Sequence, residues 1–255
     1  MCGRYASARS RAELVEEFAI QCDRVDEPLP PDYNVAPTKR VYAVLARAES
    51  TEETPGRELR VVRWGLVPSW AKDVSIGSRL INARAETVSE KPAFRSAFTR
   101  RRCLLPADGY YEWQQPPAGM KGAKQPYFIC RPDHGALAFA GLYELWRDRD
   151  LPPDEPGAWL WTATIITTSA ADELGQIHDR MPMVIGPKDW ADWLDTAGTS
   201  VSDAMALLAP AAATGLTSYP VSTAVNSVRN NGPALIEPAE PLWPAGLAGT
   251  GDGLS

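Results

Sequence analysis

The fold is indicated most clearly by four stretches in the middle of the chain: CLLPADGYYEW (103–113), PYFICR (126–131), LAFAGLYELW (137–146) and WLWTATIITTSA (159–170). They are rich in aromatic and β-branched residues, which favour strands. Clusters of glycine, proline and charged residues separate them, and this spacing is typical of antiparallel pairing. The sequence therefore predicts a run of antiparallel strands.

The chain before these stretches adds two strands and a helix. VYAVLARA (41–48) and LRVVRWGLV (59–67) predict a hairpin, with the polar segment TEETPGRE (51–58) in its long loop. A short amphipathic helix is expected around Arg11–Ile20. Ser10 is its candidate N-cap, and the apolar face holds Leu14, Val15 and Phe18.

The chain after these stretches mixes helix, strand and tail. Helices are expected in PKDWADWLDT and SVSDAMALLA, the second capped by Ser200 or Ser202, and LTSYPVS is expected to be extended. After about Ile236 the sequence is rich in proline and glycine, which predicts a disordered tail over 239–255. Together these elements predict a single α+β domain over 2–238, mainly antiparallel strands curled into a barrel-like sheet with helices outside.

The composition of the chain indicates whether to expect metal sites, membrane association and a particular cellular location. The four cysteines among 255 residues show no CxxC or Cys/His spacing, so neither a disulfide framework nor a zinc site is indicated. We expect no metal and no cofactor. The charged amino terminus does not resemble a signal peptide, and no run of 18 apolar residues occurs, so no membrane association is expected. A cytoplasmic location is predicted, with association to the nucleoid if the source is bacterial.

Charge is distributed unevenly along the chain. The formal net charge of −6 taken alone argues against nucleic acid, yet residues 60–103 carry ten basic and three acidic side chains. Trp64, Trp70, Phe94 and Phe98 are interleaved with these cations. The segment is interpreted either as a solvated face that balances acidic neighbours or as a groove for phosphates and stacked bases.

Cys2 is the most informative candidate for chemistry. Methionine before a small residue is normally removed, which would leave Cys2 with a free α-amine and a thiol on adjacent carbons. An α-amine has an ordinary pKa of about 7.7–8.0 and a thiol one of about 8.5, so part of each group is deprotonated near neutral pH. Amine attack on an aldehyde forms a Schiff base, and the thiolate closes a thiazolidine. The alternative is an inert cysteine at a frayed terminus, although Gly3 permits close approach and Arg4 suits a phosphate or carboxylate.

Three other polar residues are candidates for the same chemistry. Glu112 lies in a strand pattern beside aromatic residues, where burial would raise its pKa for acid–base work, or it faces outward in a salt bridge. His178 in IHDRMP is either a proton shuttle or an ordinary surface histidine. Asn82 in INARAET either orients a reacting group or caps the following helix.

An ordered set of motifs then points to a known family. MCGRY, YNVAPT (33–38), WGLVPSW (64–70), INARAET (81–87), DGYYEW (108–113), ITTSA with IHDRMP, and VNSVRNNGPALIEP together resemble the SOS-response-associated peptidase (SRAP) family over about 2–238. Members of that family protect abasic sites in single-stranded DNA by crosslinking to them. The resemblance implies that Cys2, after Met1 is removed, forms a thiazolidine with the ring-opened aldehyde of an abasic site.

The resemblance also assigns roles to individual residues. Asn82 matches the family asparagine that holds the Cys2 amine and the sugar. Glu112 matches the glutamate that moves protons, and His178 matches the histidine that assists Schiff-base chemistry. It implies contacts with DNA phosphates, sugars or bases for Arg4, Pro37, Trp70, Arg84, Thr168 and Arg180. One departure is that Trp70 is followed by Ala71, where some bacterial relatives carry a second aromatic residue.

Two other functions remain open at the level of sequence. A thiol peptidase would use Cys2 as nucleophile, His178 as base and Asn82 to polarise the carbonyl, in autoprocessing of the amino terminus. A non-covalent single-strand binding protein would leave Cys2 inert. The expected partner is single-stranded DNA containing abasic sites, with replication-fork proteins as further candidates and strand-cleaving lyase activity left open. The absence of a coiled-coil pattern favours a monomer.

Overall fold

The structure is a computed structural model that describes residues 2–47, 56–170, 172–208 and 215–243. Strands dominate this part of the chain and divide between two sheets. They are β1 (Tyr5–Ser7), β2 (Cys22–Asp23), β3 (Asp32–Val35), β4 (Arg40–Ala46), β5 (Arg57–Trp64), β6 (Asn82–Arg84), β7 (Arg102–Ala107), β8 (Gly109–Gln114), β9 (Gln125–Cys130), β10 (Leu137–Arg147), β11 (Trp159–Ser169), β12 (Arg180–Pro182) and β13 (Thr217–Pro220).

The helices are short. They are α1 (Arg11–Glu17), α2 (Arg95–Arg100), α3 (Asp172–Gly175), α4 (Trp190–Leu194) and α5 (Val201–Leu207). Short 3-10 helices occur at Val74–Arg79, Ala85–Thr87, Pro187–Asp189, Thr223–Asn226 and Pro233–Leu235. None of the helices in the described ranges is long and apolar enough to cross a bilayer.

Five strands close into a barrel, so the predicted barrel-like α+β fold is confirmed. β11, β10, β7, β4 and β5 are neighbours in that order, with antiparallel pairing between each pair. A parallel seam between β5 and β11 closes the ring, at Thr162 opposite Arg63 and Ala163 opposite Trp64. Further along β11, at residues 165–167, the parallel partner of this strand is β6 in place of β5, with Asn82 opposite Ile165.

Successive side chains of a barrel strand point alternately into the barrel and out toward the helices. Both directions are buried, so the strand is hydrophobic almost throughout. In β4, Val41, Ala43 and Leu45 belong to the cluster inside the barrel, while Tyr42 and Val44 pack outside against the helices. Both faces of the strand are therefore buried, which is why VYAVLA shows no polar alternation. The predicted hairpin of β4 and β5 is confirmed, and residues 51–55 of its predicted loop lie outside the described residues.

The second sheet covers one end of the barrel. Its strand order is β13, β9, β8, β1 and β3, and all its pairs are antiparallel. The prediction of one strand-like stretch over 103–113 is wrong, because the chain forms two strands there, β7 in the barrel and β8 in the covering sheet. The chain turns between them at Asp108, whose carboxylate accepts the Ala8 amide hydrogen at 2.5 Å and pairs with Arg9 at 3.1 Å.

Capping explains where the first and last helices start. Ser10 caps α1, as the sequence predicted, and it also forms a reciprocal capping pair with Glu13. The helix ends at Glu17, earlier than the expected Ile20, because Ala19 adopts a left-handed φ of 46°. Of the two candidate serines for α5, Ser200 is the cap, accepting the Asp203 amide hydrogen at 3.1 Å.

The chain stays in contact with the covering sheet beyond residue 238. The Ala239 amide donates to the Pro220 carbonyl at 2.9 Å, and the Leu242 amide donates to Gln125 Oε1 at 2.7 Å. Trp243 is buried. Residues 244–255 of the predicted tail lie outside the described residues.

Candidate active site

Cys2 lies where the covering sheet meets the barrel. It lies three residues before Tyr5, the first residue of β1, and β1 is held between β3 and β8 with Tyr5 opposite Tyr110. The Tyr5 ring contacts Trp64 and Phe139 edge-on, at centroid distances of 5.2 and 5.8 Å, and so anchors the strand over the barrel core. Cys2 is completely buried, and this burial raises the pKa of its thiol, with the Glu112 carboxylate adding to the rise. A base is therefore needed to form the thiolate.

Asn82 joins Cys2 to the barrel. It opens β6 at the edge of β11, and its Nδ2 donates to the Cys2 carbonyl at 2.7 Å. The alternative of a helix cap is wrong, because Arg84 occupies the cap position of the turn that follows and no side chain caps it. The Asn82 Oδ1 is buried with no hydrogen-bond partner among the described residues. This oxygen is available to accept a hydrogen bond from a reacting group.

Glu112 supplies a carboxyl group with an unusual pKa. Its side chain lies in β8, is 4% exposed and therefore does not face outward. Burial raises the pKa of Glu112 from 4.5 to about 7. At neutral pH the protonated and ionised forms are both populated, which suits a group that must give and take a proton.

His178 faces Glu112 from the loop between α3 and β12. Its Nε2 lies 3.9 Å from Glu112 Oε2, while Nδ1 accepts the Arg180 amide hydrogen at 3.0 Å and lies 2.8 Å from Asp179 Oδ1. Burial lowers the pKa of His178 below 6.5, so the imidazole is neutral at neutral pH. The structure thus places a neutral imidazole beside a carboxyl group that titrates near pH 7.

The residues expected to contact DNA differ in their environments. Trp70 is 57% exposed and Arg84 is exposed, whereas Pro37 is half-buried and Thr168 is buried. Arg84 lies opposite Thr167 in the β6–β11 pair, two residues along β6 from Asn82, and Thr168 is the next residue of β11. Their contacts with DNA stay predictions.

Two of the expected arginine contacts already have intramolecular partners. Arg4 Nη1 donates to Asn34 Oδ1 at 2.7 Å and to the Val225 carbonyl at 2.9 Å, which ties the amino terminus to the segment after β13. Arg180 binds Glu86, a residue inside INARAET that the sequence analysis did not single out. The INARAET motif contains this glutamate, but nothing in the sequence indicated which cation would form an ion pair with it.

The basic segment 60–103 is not one continuous groove. Arg102 is 1% exposed and donates to the Trp193 carbonyl at 2.6 Å and the Asp195 carbonyl at 2.8 Å. Arg101 pairs with the buried Glu144 at 2.8 Å. These cations hold α2, α4 and β10 together, so the interpretation of the whole segment as a nucleic-acid groove is wrong for them.

The site has the parts needed for covalent chemistry on an electrophilic carbon. It combines a nucleophilic sulfur, an amide that holds its backbone, a carboxyl group poised near pH 7 and a neutral imidazole. All four cysteines are free thiols. Within the part of the chain that the structure describes, no three His, Cys, Asp or Glu side chains are grouped as metal ligands.

Fold and site together define a small β-barrel protein with a cysteine-centred acid–base site. The chain belongs to the SOS response associated peptidase (SRAP) family, whose family model matches residues 1–228.

Relatives with curated names share most of the chain. It is 38% identical over 237 residues to Abasic site processing protein YoqW of Bacillus subtilis (strain 168), covering 93% of this chain and 99% of that relative. It is 33% identical over 274 residues to Abasic site processing protein HMCES of Gallus gallus, covering 94% and 78% respectively. A solved structure of a protein from Bacteroides thetaiotaomicron is similar with a TM-score of 0.77 and 26% identity, over 94% of this chain and all of that one.

Proposed function

We propose that this protein processes abasic sites in single-stranded DNA by forming a covalent thiazolidine through Cys2 after Met1 is removed. The observation that carries the proposal is the convergence of Cys2, Asn82, Glu112 and His178 at one end of the barrel. The names of relatives such as YoqW and HMCES support abasic sites as the substrate.

The chemistry begins with opening of the abasic sugar. As the bond between C1′ and the ring oxygen breaks, the ring oxygen takes a proton, the C1′ hydroxyl gives one up, and C1′ becomes an aldehyde. The α-amine of Cys2 adds to C1′, and loss of one water gives a Schiff base. The Cys2 sulfur then attacks the same carbon and closes the five-membered ring, so the product mass is protein plus DNA less one water. Closure is intramolecular, which removes most of its entropic cost.

The neighbouring residues match these steps. Glu112, with a pKa of about 7, can donate a proton to the departing water and accept one from the thiol, whose own pKa is raised by burial. His178 is neutral and faces Glu112, so it can exchange protons with that carboxyl group. Asn82 fixes the Cys2 carbonyl and therefore the direction of its amine and thiol.

The decisive experiment is intact-mass spectrometry of the protein with a single-stranded oligonucleotide carrying one abasic site. The expected species lacks Met1 and gains the oligonucleotide mass less one water, and an undamaged strand gives no adduct. Cys2→Ala should abolish the adduct. The matched control is Cys22→Ala, because Cys22 is a half-buried free thiol on β2, in the other sheet.

Other outcomes would favour the competing functions. DNA that binds the wild-type protein but is released on denaturation would make it a non-covalent single-strand binding protein. Autoproteolysis would be favoured if the wild-type protein lacks Met1 but forms no adduct, and the Cys2→Ala variant keeps Met1. Appearance of a shorter DNA strand alongside the adduct would add lyase activity to the proposed function.

A further inference from the structure

The guanidinium of Arg180 is bound by a carboxylate in the free protein. Nη1 donates to Glu86 Oε1 at 2.5 Å, and Nη2 donates to Glu86 Oε2 at 3.1 Å and to the Thr167 carbonyl at 2.6 Å. Weaker contacts reach Thr167 Oγ1 at 3.3 Å and Ser169 Oγ at 3.4 Å. Both terminal nitrogens are therefore occupied, and Nε is buried with no hydrogen-bond partner among the described residues.

This ion pair connects the two segments that carry the site. Glu86 follows β6, the strand of Asn82, and Arg180 opens β12, two residues after His178. β6 and β12 both pair with β11 around Thr167, so the ion pair spans that strand. The Arg180 backbone amide also donates to His178 Nδ1.

The Glu86 carboxylate occupies Arg180 in the way that a DNA phosphate would. A carboxylate presents two oxygens to the guanidinium fork, as a phosphate does. The Arg180 side chain is 12% exposed and that of Glu86 is 49% exposed, so the carboxylate is the more accessible partner. An incoming phosphate therefore meets like charge at Glu86 and needs the donors that Glu86 already uses.

We propose that Glu86 is an internal counter-ion that a DNA phosphate must displace from Arg180, so that it limits affinity for undamaged single strands. This inference rests on the proposed function. The hydrogen bonds from Arg180 are the main cause that lowers the pKa of Glu86, and the charge of the exposed Arg84 lowers it further, so a second cation acts on the same carboxylate. Weak reversible binding leaves selection of the lesion to the covalent step at Cys2.

The test compares two substitutions that remove the same charge. Glu86→Gln keeps the size of the side chain but weakens its hold on Arg180, and Glu90→Gln changes an exposed glutamate four residues later. Affinity for an undamaged single-stranded oligonucleotide is measured by fluorescence anisotropy at one low salt concentration. We expect Glu86→Gln to bind about tenfold more tightly than Glu90→Gln. In an Arg180→Ala background this difference should disappear.

Equal affinities of the two glutamine variants, or weaker binding by Glu86→Gln, would overturn the counter-ion role. A tenfold difference that persists in Arg180→Ala would also overturn it, because the effect would then not act through Arg180. Melting temperatures show that each variant is folded. An abasic oligonucleotide is run in parallel: absence of a wild-type adduct defeats the proposed function, whereas a normal adduct with equal glutamine variants defeats only this inference.

Discussion

The side-chain amide of Asn82 donates a hydrogen bond to the backbone carbonyl of Cys2 at 2.7 Å, across 80 residues of sequence. The bond ties the amino-terminal segment to the edge of β11, beside the parallel seam that closes the barrel. The orientation of the Cys2 amine and thiol therefore depends on barrel closure as well as on the short strand β1.

Asn82→Ala should slow crosslinking at least tenfold, because the Cys2 backbone loses the donor that orients it. Single-turnover formation of the adduct on a denaturing gel measures the rate. Undamaged-strand affinity should change little, since Arg84 and Trp70 remain. A normal rate in this variant would show that β1 alone orients Cys2.

The rate of crosslinking should depend on pH around neutrality through Glu112. Its pKa of about 7 means that the balance between acid and base forms changes between pH 6 and 8. Glu112→Gln should react more slowly and lose this part of the pH dependence. If the variant retained the wild-type profile, another group would be responsible for the titration.

Glu112 also predicts a pH dependence of stability. Its folded-state pKa is raised from 4.5 to about 7, so its favourable contribution is complete below pH 4.5 and is lost as pH rises through 7. The loss is about 3 kcal/mol, at about 1.36 kcal/mol per pKa unit. The free energy of unfolding of Glu112→Gln minus that of the wild type should therefore rise by this amount between pH 4 and pH 8. Urea unfolding measures it, and a constant difference would contradict the raised pKa.

Two exposed tryptophans allow a matched test of base stacking. Trp70 is 57% exposed and Trp159 is 48% exposed. Trp70→Ala should weaken single-strand binding by about 1–3 kcal/mol, the usual contribution of stacking on one base. Trp159→Ala is the control and should leave affinity unchanged, because the Trp159 indole already donates to the Pro153 carbonyl at 3.1 Å. Equal losses would mean that Trp70 has no particular role.

Arg102 should be a structural cation. Arg102→Met removes the donors for the Trp193, Asp195 and Phe98 carbonyls in a buried setting, and should lower the free energy of unfolding by about 3–5 kcal/mol. Arg100→Met, at an exposed neighbouring position, is the control and should cost less than about 0.5 kcal/mol. Denaturant unfolding measures both values. Similar values would contradict the structural role.

Local features of the fold could be predicted from the sequence. The Ser10 cap of α1, the β4–β5 hairpin and the strand-rich middle all depend on residues close together in the chain. The stretch 103–113 shows the limit of this reasoning. Asp108 and Gly109 form a turn signal inside it, but the apolar residues on both sides are equally compatible with one long strand.

The sequence by itself determined that Cys2, Asn82, Glu112 and His178 have chemistry suited to one reaction, because side-chain identity sets which groups can attack, donate or accept. Only the tertiary structure decided that they meet, that burial raises the pKa of Glu112, and that Arg102 is buried while Arg84 is exposed. The pairing of Glu86 with Arg180 was decided in the same way. The physical reason is that solvent exposure and charge partners depend on strands far apart in the chain, which come together only when the barrel closes.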